Sequence, residues 1–342
     1  MHSYKSDYTE GAHPSIIKKL TDTNMEQTTG YGEDIYCEKA RELIQKECRR
    51  DNVDVHFLTG GTQTNLTFIG SVLKSYQGVI SAESGHISVH ETGAVEATGH
   101  KVITLKAQDG KITASQIKKL HDEDVVNPDR EHTVQPKLVY ISQSTEVGSI
   151  YSKAEITAIS ETCRECGYYL YVDGARLGYA VMSVGGDVSV SDLAQLCDAF
   201  YIGGTKVGAL FGEALVICND ELKKDFRYSV KQRGGMFAKG RLLGLQFIAL
   251  FEDGLYYRIS ENAVKQAMKL KDAFVKKGVR LLTEPKSNQI FVIFANEQAK
   301  LFEECAGFWG VFDEGHTVMR FCTSWATSDE NIEELMRLID TL

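Results

Sequence analysis

Tyr168-Tyr169-Leu170-Tyr171-Val172-Asp173-Gly174-Ala175-Arg176 is the stretch on which the reading of this chain turns. Five apolar or aromatic residues in a row, without polar alternation, fit a strand buried on both faces, as in a parallel sheet covered by helices. The run stops at a carboxylate. A carboxylate at the tip of a buried strand is costly unless a positive group or several donors face it.

Thirty-three residues downstream (206 − 173 = 33) a second apolar strand, Ala199-Phe200-Tyr201-Ile202, runs into Gly203-Gly204-Thr205-Lys206. Lys206 has small and apolar neighbours and a further strand, Ala214 to Cys218, after it. That is not the setting of a solvated surface lysine. Partial desolvation lowers an amine pKa and makes it a nucleophile for a carbonyl. Upstream, a strand over Val53–Leu58 leads into Gly60-Gly61-Thr62 and a helix from about Gln63 to Lys74. Glycines admit close backbone approach, and a helix start offers free N–H groups and a positive dipole end, which suits a phosphate. The pattern is neither GxGxxG nor a Walker loop, which sets nucleotide and nicotinamide readings back.

The residues alone leave a bland alternative at each point. Gly60–Thr62 also fits an ordinary capped turn, Asp173 a helix cap or a pair with Arg176, and Lys206 a hairpin lysine. The conjunction favours chemistry. A glycine turn, a strand-end acid and a strand-end lysine occur in that order, and ligands of open α/β sheets bind beyond the carboxyl ends of the strands. A cationic pyridine nitrogen beside Asp173 would satisfy the acid and make its ring an electron sink.

The rest of the chain extends the α/β pattern. Strands are expected over Gly78–Ser81, Lys101–Leu105 and Leu138–Ser142, with helices over Ser115–Asp122 and Ser152–Cys166, the latter opened by a Ser152/Glu155 capping box. From Arg241 the pattern changes. Helical stretches run through Leu255 and over Glu261–Lys277. A strand at Asn288–Phe294, a helix at Glu297–Ala306, a strand at Val318–Cys322 and a closing helix from Asp329 to Leu342 follow.

Of 342 residues, 43% are hydrophobic and 25% charged, the balance of a soluble protein with a core, and the net charge is −9. No basic run marks a nucleic-acid or membrane partner. No export signal or membrane-length apolar run is visible, and eight scattered cysteines read as reduced thiols, so the expected location is the cytoplasm. Cys163-Arg164-Glu165-Cys166 falls in a helical pattern without a second metal-ligand pair, so no metal site is expected.

With these motifs in place, the chain resembles the L-threonine aldolase family of fold-type-I pyridoxal-phosphate lyases. The resemblance runs over nearly its whole length. It rests on Ser6-Asp7, Tyr31-Gly32-Glu33-Asp34, the Gly-Gly-Thr-x-x-Asn turn, Ser84-Gly85-His86-Ile87 with Glu91 and Gly93, Asp173-Gly174-Ala175-Arg176, Thr205-Lys206, Gly234-Gly235-Met236 and Arg320-Phe321-x-Thr323. The fold implied is α/β of the aspartate-aminotransferase type. It has a large, mostly parallel seven-stranded sheet domain in residues 8–240, and a small C-terminal α+β domain in 241–342 with an N-terminal arm, 1–7.

The cofactor implied is pyridoxal 5'-phosphate, carried by Lys206 and tuned by Asp173. Gly60, Gly61 and Thr62 take its phosphate, and His86 stacks on its ring. Arg176 lies near its phenolic oxygen and the substrate. Ser6 and Arg320 contact the substrate, with Arg320 on the α-carboxylate, a task that suits a guanidinium. The reaction implied is cleavage of an L-β-hydroxy-α-amino acid to glycine and an aldehyde, with His86, His90 or a water they position as base. A pyridoxal-phosphate β-eliminating lyase is the alternative. The partner is a small amino acid, and the assembly a homodimer or homotetramer with sites at the subunit interface, to which Tyr31–Asp34 and Lys231–Arg241 contribute.

Three departures bear on specificity. Where many members carry a histidine that contacts the β-hydroxyl, this chain has Ser142-Gln143-Ser144-Thr145-Glu146. His90 replaces a frequent tyrosine. Gly234-Gly235-Met236-Phe237 lacks an arginine that reaches a neighbouring cofactor, leaving Lys231, Arg233 or Lys239 to substitute. A bulkier or aromatic β-hydroxy amino acid therefore competes with threonine as the expected substrate.

Overall fold

The run ending at Asp173 is β5 (Tyr169–Asp173), the middle strand of a seven-stranded sheet. The computed structural model describes residues 2–342. The other strands of this sheet are β1 (Asp54–Leu58), β2 (Gln77–Ala82), β3 (Val102–Leu105), β4 (Gln135–Ser142), β6 (Ala199–Gly203) and β7 (Glu213–Ile217), in the order β1-β7-β6-β5-β4-β2-β3. β7 runs antiparallel to both of its neighbours; the remaining strands run parallel to one another. The mostly parallel seven-stranded sheet expected from the sequence is present.

The unbroken apolar runs have a direct cause. Side chains alternate across a strand, and here both faces are dry. Val139, Ile141, Leu170, Val172, Phe200 and Ile202 enter one core, while Leu138, Tyr140, Tyr171, Ala199 and Tyr201 enter another on the opposite face. Neither face selects polar residues. The helix between β4 and β5, Lys153–Cys166, begins at the expected capping box. Glu155 N donates to Ser152 Oγ, and Ser152 N donates to Glu155 Oε2. It ends at Gly167 with φ 70°, a left-handed cap that glycine adopts without a Cβ clash. Close approach fixes another glycine: a Cβ on Gly174 would lie 1.8 Å from the Tyr201 carbonyl oxygen, so the residue after Asp173 admits no side chain.

A second sheet is wholly antiparallel, with β8 (Arg280–Leu281), β9 (Gln289–Ala295), β10 (Gly307–Asp313) and β11 (His316–Cys322) in the order β10-β11-β9-β8. The expected strands near 288–294 and 318–322 and the closing helix, Asp329–Ile339, are there. The expected helix over Glu297–Ala306 is instead one turn, Asn296–Ala299, followed by a 3-10 turn, Lys300–Phe302, and then β10, which has no counterpart in the sequence reading.

The helix Leu255–Lys276 joins the two units. Its first half (Tyr256, Ile259, Ala263, Val264) packs in the large-sheet core together with Leu243–Phe251, and its second half (Ala267, Leu270, Phe274) packs in the core of the small sheet. The helical residues 243–264 thus lie against the large sheet, C-terminal to position 240. The arm belongs with the small sheet: Tyr4 is fully buried in that core, its N–H donates to Cys305 O, and Cys322 N donates to its carbonyl.

Candidate active site

Strand ends set the position of the site. The parallel strands β1, β4, β5 and β6 all leave the large sheet at one edge, and β7, being antiparallel, enters there. Between them lies a cavity of about 320 Å³ whose lining includes Gly60, Gly61 and Thr62 after β1, Ser142 and Ser144 at the end of β4, Asp173 at the end of β5, Thr205 and Lys206 after β6, and Glu213 at the start of β7.

Asp173 is the buried floor of this inner cavity. Four donors converge on it: Tyr140 Oη to Oδ2 at 2.6 Å, Tyr201 Oη to Oδ1 at 2.6 Å, Asn65 Nδ2 to Oδ2 at 3.1 Å and Ala175 N to Oδ1 at 3.0 Å. Burial by itself raises a carboxyl pKa. Here the nearby His86 and the two phenols outweigh it and hold Asp173 below the ordinary range, so it is a carboxylate at neutral pH. The pairing with Arg176 open to the sequence does not form. Arg176 instead forks onto Asp7 of the arm, Nε to Oδ2 at 2.7 Å and Nη2 to Oδ1 at 2.9 Å, and Asn288 Nδ2 adds 2.8 Å to Oδ2. Arg176 still lines the cavity.

Lys206 faces the floor. Its pKa is lowered, first by burial and then by Arg176, with Asp7, Asp173 and Glu213 opposing. The only aromatic ring it lies over among the described residues is Tyr8, 6.0 Å away at the centroid. The helix after β1 is Gly61–Val72, two residues earlier than the sequence placed it, so Gly61 and Thr62 sit in its first turn. Its cap, Gly60, makes no side-chain cap bond, and nothing lies within 4 Å of where a Cβ would stand. The first-turn N–H groups are thus left for a ligand.

His86 opens a short helix, His86–Val89, at the cavity wall. Its Nδ1 lies 2.8 Å from Glu91 Oε1, which also accepts from Asn65 Nδ2 at 2.8 Å. One relay of hydrogen bonds therefore runs from His86 through Glu91 and Asn65 to Asp173.

His90 and Arg320 stand in a neighbouring, outer cavity of about 670 Å³, with Trp309 and Phe308 of β10. Arg320 has Trp309 beneath it, 5.4 Å from the ring centroid, and donates from Nη2 to Lys5 O at 2.9 Å; its buried Nε has no partner. The His90 ring lies 5.6 Å from that of His86 and 6.3 Å from that of Trp309. Burial, then His86, Arg320 and other cations, lower its pKa, so it is neutral at neutral pH. Lys206, His86, Arg176, Tyr8 and Glu146 line both cavities.

The structure thus gathers Gly60, Gly61, Thr62, His86, Asp173, Arg176 and Lys206 around one cavity and His90 and Arg320 around the next. Ser6 is half-buried and lines neither cavity; the arm reaches the site through Asp7, which holds Arg176, and Tyr8 just after it lines both cavities. Glu146, Glu213, Asn65, Glu91 and the two phenols on Asp173 are site members that the sequence reading gave no role. Asn65 and Glu91 stood inside quoted motifs, and for Asn65 a polar residue just before the apolar half of its helix was the available signal. Glu146 occupies the segment noted for lacking a histidine. Its Oε1 accepts from Ser142 Oγ at 2.6 Å and His86 N at 2.9 Å, and burial raises its pKa.

A family model described as beta-eliminating lyase matches residues 5–297. The chain belongs to the beta-eliminating lyase family. Within this lyase family it is similar to a low specificity L-threonine aldolase of a Pseudomonas species, 31% identical over 341 residues, covering 97% of this chain and 95% of the relative. A low specificity L-threonine aldolase of Pseudomonas aeruginosa is 29% identical over 344 residues, covering 98% and 96%. Among solved structures, threonine aldolase of Leishmania major superposes with a TM-score of 0.96 at 44% identity, covering 100% of this chain and 99% of that one.

The lyase's residues fit the family's cofactor, pyridoxal 5'-phosphate. An ionised acid on a dry floor calls for a cation, which a protonated ring nitrogen supplies. A helix start without a side-chain cap, flanked by Thr62 and Thr205, calls for an anion. A desolvated lysine lines the same cavity.

Proposed function

We propose that this chain is a pyridoxal-phosphate-dependent aldolase that splits L-β-hydroxy-α-amino acids of the threonine, allo-threonine or phenylserine type into glycine and an aldehyde. The observation that carries the reading is one cavity holding Lys206, ionised Asp173 and the uncapped helix start, with Arg320 and a neutral His90 in the space beside it.

When bound at Lys206, the cofactor supplies an electron sink for the pair released as the Cα–Cβ bond breaks. The chain's residues do the rest. Asp173 keeps a cation at its end of the ring. The N–H groups of Gly60, Gly61 and Thr62 hold the phosphate, and His86, anchored through Glu91, takes the ring contact. Arg320 takes the α-carboxylate on its open side, and Arg176, held by Asp7, adds positive charge at the mouth between the cavities. His90 accepts the proton of the β-hydroxyl. Its lowered pKa keeps it in the basic form, and neither ring nitrogen is committed to a hydrogen bond among the described residues. Lys206 returns a proton to Cα once the aldehyde has gone.

The finer parts of the reading are a soluble enzyme of the cytoplasm and a homodimer or homotetramer. No described helix is long and apolar enough to cross a membrane. Tyr31 and Tyr228 are exposed in a cavity lined by Thr29, Glu33, Arg227 and Met236, with exposed Ile35 and Phe237 just beyond it in the chain, the kind of face that a second copy covers.

L-threonine, L-allo-threonine and L-phenylserine, each incubated with the holoenzyme, test the reading. The expected products are glycine and the matching aldehyde. A 2-oxo acid and ammonia without glycine would replace this reading with β-elimination.

A further inference from the structure

The antiparallel strand in the large sheet carries an acid into the site. β7 begins at Glu213, whose register partners are Leu58 on β1 and Gly203 on β6. Leu58 stands two residues before Gly60, and Gly203 three before Lys206. Glu213 is therefore wedged between the turn that offers helix N–H groups and the turn that carries the lysine. It is 3% exposed and lines the inner cavity. Its Oε2 accepts from Gly204 N at 2.9 Å, and the Thr205 side chain nearby favours its charged form.

The groups around it set a conflict. Lys206 is a cation beside it, and Asp173 at the next strand end is an anion. The phenols of Tyr171, Tyr201 and Tyr256 face it and are held neutral. β1 sets Leu58 opposite it, and the helix Arg241–Phe251 places apolar Leu243 and Phe247 against the flanking glycines, Gly212 and Gly204. A dianionic phosphate at Gly60–Thr62 and a carboxylate at 213 would share a corner without water to screen them. Burial, the largest influence on Glu213, has already pushed its pKa up to about 7, with Thr205, Gly204 and Lys206 opposing.

We infer that Glu213 is a further cofactor-binding residue, one that holds a proton and donates it as a hydrogen bond to the cofactor's phosphate. This rests on the cofactor reading above and adds the charge state of its phosphate corner. The proton balance is simple: above about pH 7 a phosphate dianion can enter only if one proton is taken up from solution. Affinity for the phosphorylated cofactor therefore falls as pH rises, while affinity for a ligand without phosphate does not share that loss.

The test uses the apo form of the full chain, titrated with pyridoxal phosphate and, separately, with pyridoxal, across about pH 6 to 9. Visible absorbance and intrinsic fluorescence report binding. The ratio of the two dissociation constants cancels what pH does to Lys206 and to the ring. In the wild type this ratio should rise about tenfold per pH unit above neutrality, as one linked proton requires. In Glu213→Gln, whose amide donates without titrating, it should stay flat. A flat wild-type ratio overturns the inference without any variant having to fold, and so does a Glu213→Gln ratio as steep as that of the wild type. A wild type that binds neither compound overturns the cofactor reading itself, which is a different result.

Discussion

The two cavities that meet at Lys206 are built on different plans. The inner one is walled mainly by five neighbouring strand ends of a single sheet, and the four short bonds on Asp173 come from two strand side chains, one backbone N–H and Asn65 of the helix that follows β1. The outer one is walled by Tyr8 just after the arm, the helix His86–Val89 with His90, β10 and β11, brought together from distant parts of the chain. Rigid strand ends suit the group that stays bound and does the chemistry. A wall assembled from loops and a second sheet suits the group that changes from one turnover to the next. The comparison predicts that changes in the inner cavity alter the cofactor's spectrum, and changes in the outer one alter kinetics alone.

Lys206→Ala carries the largest expected effect: the visible cofactor band is lost and aldehyde release falls to background. A variant that keeps both breaks the assignment of the inner cavity. Asp173→Asn removes the charge but keeps the shape. The band should shift and kcat fall by about 10²–10³, the scale of losing one preorganised electrostatic partner. His90→Phe should leave the band in place and lower kcat/KM by about 10²–10⁴, as for loss of a general base. In the wild type the acid limb of the kcat/KM profile should lie below pH 6.5. The base must be neutral, its pKa is depressed chiefly by burial, and the rate is lost only as pH falls through that lowered value. An acid limb at or above 6.5, or one that survives in His90→Phe, assigns the proton transfer elsewhere.

Arg320→Lys keeps the charge but not the planar fork. A charge-assisted hydrogen bond contributes about 1.5–3 kcal/mol, so KM should rise about 10- to 100-fold with an unchanged band. Ser6→Ala sharpens the boundary from outside. Because Ser6 lines neither cavity, kcat and KM should both stay within about twofold, the effect of a change of about 0.5 kcal/mol.

Much of the inner cavity was legible along the chain. Asp173 and Lys206 end apolar runs, and in a sheet buried on both faces the end of a run is where a polar group emerges at the edge. Gly60 and Gly61 mark the uncapped helix start for the same local reason. Glu213 was hidden. It opens an apolar run that reads as an ordinary strand, and only the reversed direction of β7 turns its first residue toward the site. β10 was hidden because an edge strand interrupted by Gly310 and a register shift after Phe308 lacks a regular alternation, yet it supplies Trp309. Asp7 and Arg176 lie 169 residues apart, and no local pattern links them.

By itself the sequence determined which groups the protein offers for chemistry: a strand-end acid, a strand-end lysine and an anion-binding turn. Strand length and burial are local properties, and they place those residues at one edge. Tertiary structure alone decided which acids keep their protons and where a substrate would be held. Asp173 is ionised because His86 and the donors that reach it from separate segments outweigh its burial, whereas burial outweighs the groups around Glu213 and pushes its pKa up to about 7. Those outcomes depend on distances between segments far apart in the chain, and such distances exist only once the sheets have packed.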